Sequence, residues 1–139
     1  MALLRQWIFL LTLLGLGAGV TALLVPKPQP RAGQISFAEA QAFSNPVLWI
    51  DARSETLFAR GHIPGAHNLS EDNWSEQIVA VLTAWEPGQT IIVYCDSASC
   101  LASEAVAERL RGPEYGLAPV RVLQGGWAEW SAQGGASSR

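Results

Sequence analysis

Two cysteines occur in the chain, Cys95 and Cys100, and both lie in the short segment Cys95-Asp96-Ser97-Ala98-Ser99-Cys100. Thr90-Ile91-Ile92-Val93-Tyr94 precedes Cys95, and this β-branched apolar run predicts a buried strand that delivers the cysteine at its C-terminal end. A helical pattern resumes from Ala102. A cysteine between the end of a parallel strand and the start of a helix sits where open α/β sheets bind their ligands. The loop amides and the positive end of the following helix stabilise negative charge, so they favour the thiolate. Cys95 is therefore the candidate nucleophile, and the amides of Asp96, Ser97, Ala98, Ser99, Cys100 and Leu101 are the candidate cradle for an anion. The competing reading is a buried cysteine that packs as a small hydrophobe. Its polar neighbours Asp96, Ser97 and Ser99 weigh against that. A Cys95–Cys100 disulfide would close only a small loop and add little to fold stability, so the pair reads as chemistry more than scaffold.

Other polar residues are weaker candidates. Asp51 and Arg53 stand at the end of Val47-Leu48-Trp49-Ile50, a continuous apolar run expected as a central strand, and could support the loop from beside it. His62 and His67 have no partner at metal-ligand spacing, so neither a metal nor a cofactor is expected; a turn role fits Gly61-His62-Ile63-Pro64-Gly65.

The elements that must position these residues alternate in type. Ser36 with Glu39 forms a capping-box pattern opening a short helix to about Ala42, which Asn45-Pro46 stops. A brief extended piece is expected at about Ala66 to Leu69. Asn73 and Glu76 would then cap an amphipathic helix with Ile78, Val81, Leu82 and Trp85 on its apolar side, ended by Pro87-Gly88. The helix from Ala102 to Leu110 turns Ala105, Val106, Ala107 and Leu110 inward, and Val120-Arg121-Val122-Leu123 is a further strand before Gly125-Gly126. Trp127 and Trp130 are expected to close the core beside that glycine pair, whose flexibility would shape the mouth of the site. Strands alternating with helices imply a mainly parallel sheet covered on both faces.

With 139 residues the chain holds one core, and a net charge of −3 with dispersed basic residues excludes a nucleic-acid grip. From Trp7 to Val25 every residue is apolar, Gly or Thr. At about 1.5 Å per residue this run nearly matches a hydrocarbon core of about 30 Å, so residues 1–25 are expected to form a single transmembrane anchor, with a cleaved signal peptide as the alternative. The flanking charges, Arg5 against Lys27 and Arg31, hardly decide orientation. The short N-terminal tail favours a signal anchor that leaves the domain outside the cytoplasm, on the periplasmic side. Residues 26–34, rich in proline, form an expected semi-rigid linker. The domain proper is expected over 35–133, and 134–139 as a flexible tail.

The sequence carries ordered landmarks: Asp51-Ala52-Arg53, Gly61-His62-Ile63-Pro64-Gly65-Ala66-His67-Asn68, Val93-Tyr94-Cys95, and Val122-Leu123-Gln124-Gly125-Gly126-Trp127 with Trp130. In this order they resemble the rhodanese domain. The resemblance implies an α/β fold with a five-stranded, mostly parallel sheet and helices on both faces. It also implies a sulfurtransferase in which Cys95 takes the outer sulfur of thiosulfate, a polysulfide or a persulfide, and passes it to a thiol or protein acceptor. Asp51 and Arg53 match positions that look architectural in the family. One departure stands out: many active members run from the cysteine to an arginine at the end of the loop, where this chain has Cys100, and no arginine follows until Arg109. A dianionic donor thereby loses a natural partner, and the related phosphatases, which need that arginine, are disfavoured. The loop is similar to a two-cysteine variant continued by a serine such as Ser103.

Cys100 would allow a further step, attack on the Cys95 persulfide with release of sulfide and closure of a Cys95–Cys100 disulfide; alternatively it merely packs beneath the loop. Two other classes of function remain open. One is a thiol-disulfide redox protein using the same pair, although the spacing is not Cys-x-x-Cys. The other is a non-catalytic binding module on the same fold.

Overall fold

A computed structural model describes residues 33–139. The expected anchor at 1–25 and most of the expected linker lie outside them, and among the described residues no helix is long and apolar enough to cross a membrane. Five strands run β1 (Gln34–Ile35), β2 (Val47–Asp51), β3 (His67–Asn68), β4 (Thr90–Tyr94) and β5 (Val120–Leu123). They form one sheet in the order β1-β5-β4-β2-β3, and each neighbouring pair is parallel. Gln34, expected in the linker, pairs with Val122 instead.

β4 lies at the centre of the sheet, with Ile91, Ile92, Val93 and Tyr94 all fully buried. The strand period of two divides them between the faces. Ile91 and Val93 join Leu48, Ile50 and Val122 on one face, against helices α3 (Trp74–Ala84) and α4 (Ala102–Arg111). Ile92 and Tyr94 join Leu123 on the other, against α1 (Phe37–Gln41) and α5 (Gly126–Ala132). The near-continuous apolar run of β4 follows from this two-sided burial.

Helix boundaries show where local signals hold. Ser36 and Glu39 form the complete capping box of α1. The hydrogen bonds from the Ser36 hydroxyl and backbone amide hold the Glu39 carboxyl below the usual carboxylate range. At α3 the expected cap fails: Asn73 occupies the N-cap without a side-chain hydrogen bond, and α3 buries Trp74, Ile78 and Val81 while Leu82 is exposed. Ala105 of α4 is only partly buried, and the inward row continues instead through Ser103, Val106, Ala107 and Leu110. Helix α2 (Glu55–Arg60) has no fully buried residue, which is why no apolar period announces it.

Residues 134–139, expected as a flexible tail, are tied to the domain. The Gly135 amide donates to the Trp130 carbonyl at 2.9 Å, the Trp130 indole donates to the Ala136 carbonyl at 2.7 Å, and Ser138 pairs with His62 through two backbone hydrogen bonds.

Candidate active site

Cys95 follows the last residue of β4 directly and is 4% exposed. Its position is fixed by the backbone of α5. The Trp127 amide donates to the Cys95 carbonyl at 2.7 Å, and the Ala128 amide donates to the Asp96 carbonyl at 2.9 Å. These orphan amides of the first turn of α5 can reach so closely because residue 126 has no side chain: a Cβ on Gly126, which has φ +56°, would overlap the Cys95 carbonyl. The glycine pair, expected to give a flexible mouth, is instead the seam where α5 packs on the cysteine.

The loop from Asp96 to Leu101 continues into α4, whose first turn carries further unpaired amides. Asp96, Ala98, Ser99 and Leu101 are exposed, whereas Ser97 and Cys100 are partly buried. The Cys100 amide donates to the Ser97 carbonyl at 3.1 Å, and the hydroxyls of Ser97 and Ser99 are 3.2 Å apart. Among the described residues, the amides of Asp96, Ser97, Ala98, Ser99 and Leu101 donate to no protein carbonyl. Cys95 and Cys100 are joined by a disulfide with Cα atoms 6.1 Å apart, within the ordinary span of such bridges.

Behind the loop stands a buried ion pair. Arg53 donates from Nε to Asp51 Oδ1 at 2.9 Å and from Nη2 to Asp51 Oδ2 at 2.6 Å, and both residues are buried. Nη2 also donates to the Gly61 carbonyl at 2.7 Å. The guanidinium lies 4.7 Å from the Trp127 ring centre, and its Nη1 is 3.9 Å from Asp96 on the loop. Burial alone would lower the Arg53 pKa, but the hydrogen bonds and charge of Asp51 outweigh it and hold the pKa above the ordinary value. Asn68 extends the network, donating to the carbonyls of Asp51 and Arg53 at 2.9 and 2.8 Å. Asp51 and Arg53 thus meet the loop through one contact, at Asp96, and their charges are spent on each other.

The Tyr94 hydroxyl accepts from the Ile63 amide at 3.1 Å, linking β4 to the Gly61–Ala66 turn. Burial, reinforced by the Asp51 carboxylate, pushes the Tyr94 pKa far above the usual tyrosine value. His62 serves the fold: it stacks on Phe58 at 3.9 Å, with Nδ1 3.0 Å from the Phe58 carbonyl and Nε2 2.9 Å from the Ser138 hydroxyl. Among the described residues no group of His, Cys, Asp and Glu is arranged to hold a metal ion. A groove of about 450 Å³ lined by Phe37, Trp49, Pro64 and Trp130 opens on the α1/α5 face, and no residue of the cysteine loop lines it. The roles of the α5 amides, the Tyr94 hydroxyl and Asn68 carry no local sequence signal, and Gly125-Gly126 read in the sequence as a flexible loop only.

The family model for the rhodanese-like domain matches residues 36–133. The chain is similar in structure to the BH2092 protein from Bacillus halodurans, with a TM-score of 0.61 and 19% identity, over 76% of this chain and 75% of that one. It is also similar to a rhodanese-like domain protein from Staphylococcus aureus, with a TM-score of 0.54 and 26% identity, over 70% of this chain and 89% of that one. Similarity to a thiosulfate sulfurtransferase from Pseudomonas aeruginosa gives a TM-score of 0.60 and 25% identity over 81% of this chain, but spans only 21% of that protein. No curated protein matches the chain.

The raised Tyr94 pKa has a consequence for stability. The folded state keeps the phenol proton that the unfolded chain loses at about pH 10, so this contribution is intact below that pH and declines as pH rises above it. Tyr94→Phe is expected to flatten the alkaline fall in thermal midpoint, while losing about 1–3 kcal/mol at neutral pH because the buried Ile63 amide loses its acceptor. Thermal melts of both proteins from pH 7 to 11, followed by circular dichroism, measure it; an equally steep alkaline fall in the variant would exclude Tyr94 as the cause.

Proposed function

The chain belongs to the rhodanese-like domain family, and from that premise we propose that it is a sulfurtransferase carrying a sulfane sulfur as a persulfide on Cys95. The observation that carries this reading is the setting of Cys95, buried at the C-terminal end of the central strand, at the head of a loop with unpaired amides that leads into α4. In the reduced loop the Cys95 thiolate attacks the outer sulfur of a donor, the bond between that sulfur and the rest of the donor breaks, and the rest leaves with the electron pair. The persulfide anion then lies against the amides of Asp96, Ser97, Ala98, Ser99 and Leu101, the expected Cys100 amide being taken by the Ser97 carbonyl, and the thiolate of an acceptor takes the sulfur and returns Cys95 as thiolate. Two features bear on the donor. The loop ends in Cys100 where an arginine would pair with a dianion, and the neighbouring guanidinium of Arg53 is engaged by Asp51. A protein persulfide or an organic polysulfide, neither of which presents a dianion to the loop, is therefore a better match than thiosulfate.

The disulfide favours Cys100 as resolving residue. Its thiolate attacks Cys95 Sγ, the Cys95 sulfur–sulfur bond of the persulfide breaks, and the outer sulfur leaves as sulfide; the two cysteines are oxidised and the sulfane sulfur is reduced. The same disulfide also suits a second reading, in which the pair exchanges electrons with thiols and never holds a sulfane sulfur. Residues 7–25 would hold the domain at a membrane on its periplasmic side, a reading supported by the uncharged apolar run.

Three measurements test these proposals. Intact mass of the reduced full-length chain after an organic polysulfide should rise by one sulfur atom, more completely than after thiosulfate, and Cys95→Ser should abolish the gain; oxidation without any gain would select the redox reading. Cys100→Ser should keep the added sulfur and lose the sulfide released without added thiol, as read by a sulfide electrode. Sulfide release undiminished in that variant would remove the resolving role. A membrane-impermeant maleimide should label the reduced cysteines in cells with a permeable outer envelope, and labelling that requires lysis of the inner membrane would place the domain on the cytoplasmic side.

A further inference from the structure

The two ends of the disulfide differ in how they are held and how they can be reached. Cys95 is 4% exposed and sits against α5, with its own carbonyl and that of Asp96 both bound by α5 amides. Cys100 is partly buried and lies between the exposed residues Ser99 and Leu101, the latter 79% exposed. The tie of the Cys100 backbone is local, to Ser97 within the same loop. Thiol-disulfide exchange depends on which sulfur a thiolate can reach, and the mixed disulfide it forms needs room for the thiol's own substituent. Cys95, at 4% exposure, leaves little room for that substituent. Cys100, only partly buried and flanked by exposed residues, leaves more.

From this asymmetry we infer that Cys100 is the thiol-entry site of the oxidised loop: a low-molecular-weight thiol attacks Cys100, and Cys95 is the leaving group. The entering thiolate forms a bond to Cys100 Sγ, the Cys95–Cys100 bond breaks, and its electron pair stays on Cys95 as thiolate. A second thiol then attacks the sulfur of the first, the two leave together as a disulfide, and Cys100 is returned as thiolate. Two thiols are oxidised and the protein disulfide is reduced. Cys95, the residue that must be free to accept sulfur, is thus released in the first step and never carries the reductant. This assignment rests on the disulfide and on burial, and stands whether or not Cys95 holds a persulfide.

The test uses the full-length chain, oxidised and then exposed briefly to reduced glutathione. Samples are quenched in acid over a time course, alkylated with N-ethylmaleimide under mild conditions, and mapped by peptide mass. The expected result is a transient species with glutathione on Cys100 and maleimide on Cys95. Glutathione chiefly on Cys95, or equally on both, overturns the assignment. So does complete reduction with no Cys100 adduct at any time, or a loop that oxidation cannot close or glutathione cannot open. A Cys100 adduct in a protein that gains no sulfur from polysulfide would leave this inference intact and remove the persulfide proposal alone.

Discussion

A charged guanidinium buried beneath the end of the sheet constrains much of what surrounds the site. Arg53 is 5% exposed, and a charge so placed is tolerated only if paired and hydrogen-bonded. Asp51 provides both carboxylate oxygens, Gly61 a carbonyl, and Trp127 an aromatic face. Each of these comes from a different part of the chain: the end of β2, the turn before β3, and α5. Leaving either charge of such a pair alone costs about 3–5 kcal/mol, so the three segments are obliged to meet there. The pair is therefore a device of assembly, and its net contribution to stability is secondary to the geometry it imposes.

The cysteine loop is built on that assembly. With α5 brought over the end of β4, its first amides are free to bind the carbonyls of Cys95 and Asp96, provided nothing occupies the space at residue 126. Glycine meets that condition. The N-terminal half of the loop is consequently fixed by partners distant in sequence, whereas its C-terminal half is held by local contacts among Ser97, Ser99 and Cys100. In the proposed cycle this unequal support would let one cysteine remain in place while the other forms and breaks bonds with it. There Cys95 would stay held by those distant partners while thiols reach the pair at Cys100.

Much of the fold was legible because its signals are local or strictly periodic. The run Thr90–Tyr94 could hardly be anything except a strand buried on both sides, and Ser36 with Glu39 marked a helix start that the capping box confirms. Signals failed where tertiary contacts replaced local ones. Asn73 promised a cap and makes none, Leu82 fell on the wrong side of α3, and α2 has no fully buried face by which to be found. The tail after Gln133 looked featureless because its order comes from Trp130 and His62, the latter far away in sequence.

The amino-acid sequence by itself determined that Cys95 would stand at the end of a buried strand before a helix, that no arginine would close its loop, and that the landmarks were those of a rhodanese domain. These follow from residue types and spacing along the chain, which period and order alone express. Only the tertiary structure decided that Asp51 and Arg53 neutralise each other, that the glycines form a seam instead of a hinge, and that the two cysteines differ in exposure. Each of those depends on distances between segments remote in sequence, and the separations that set a hydrogen bond, a buried charge or the exposure of a cysteine exist only once the sheet has brought those segments together.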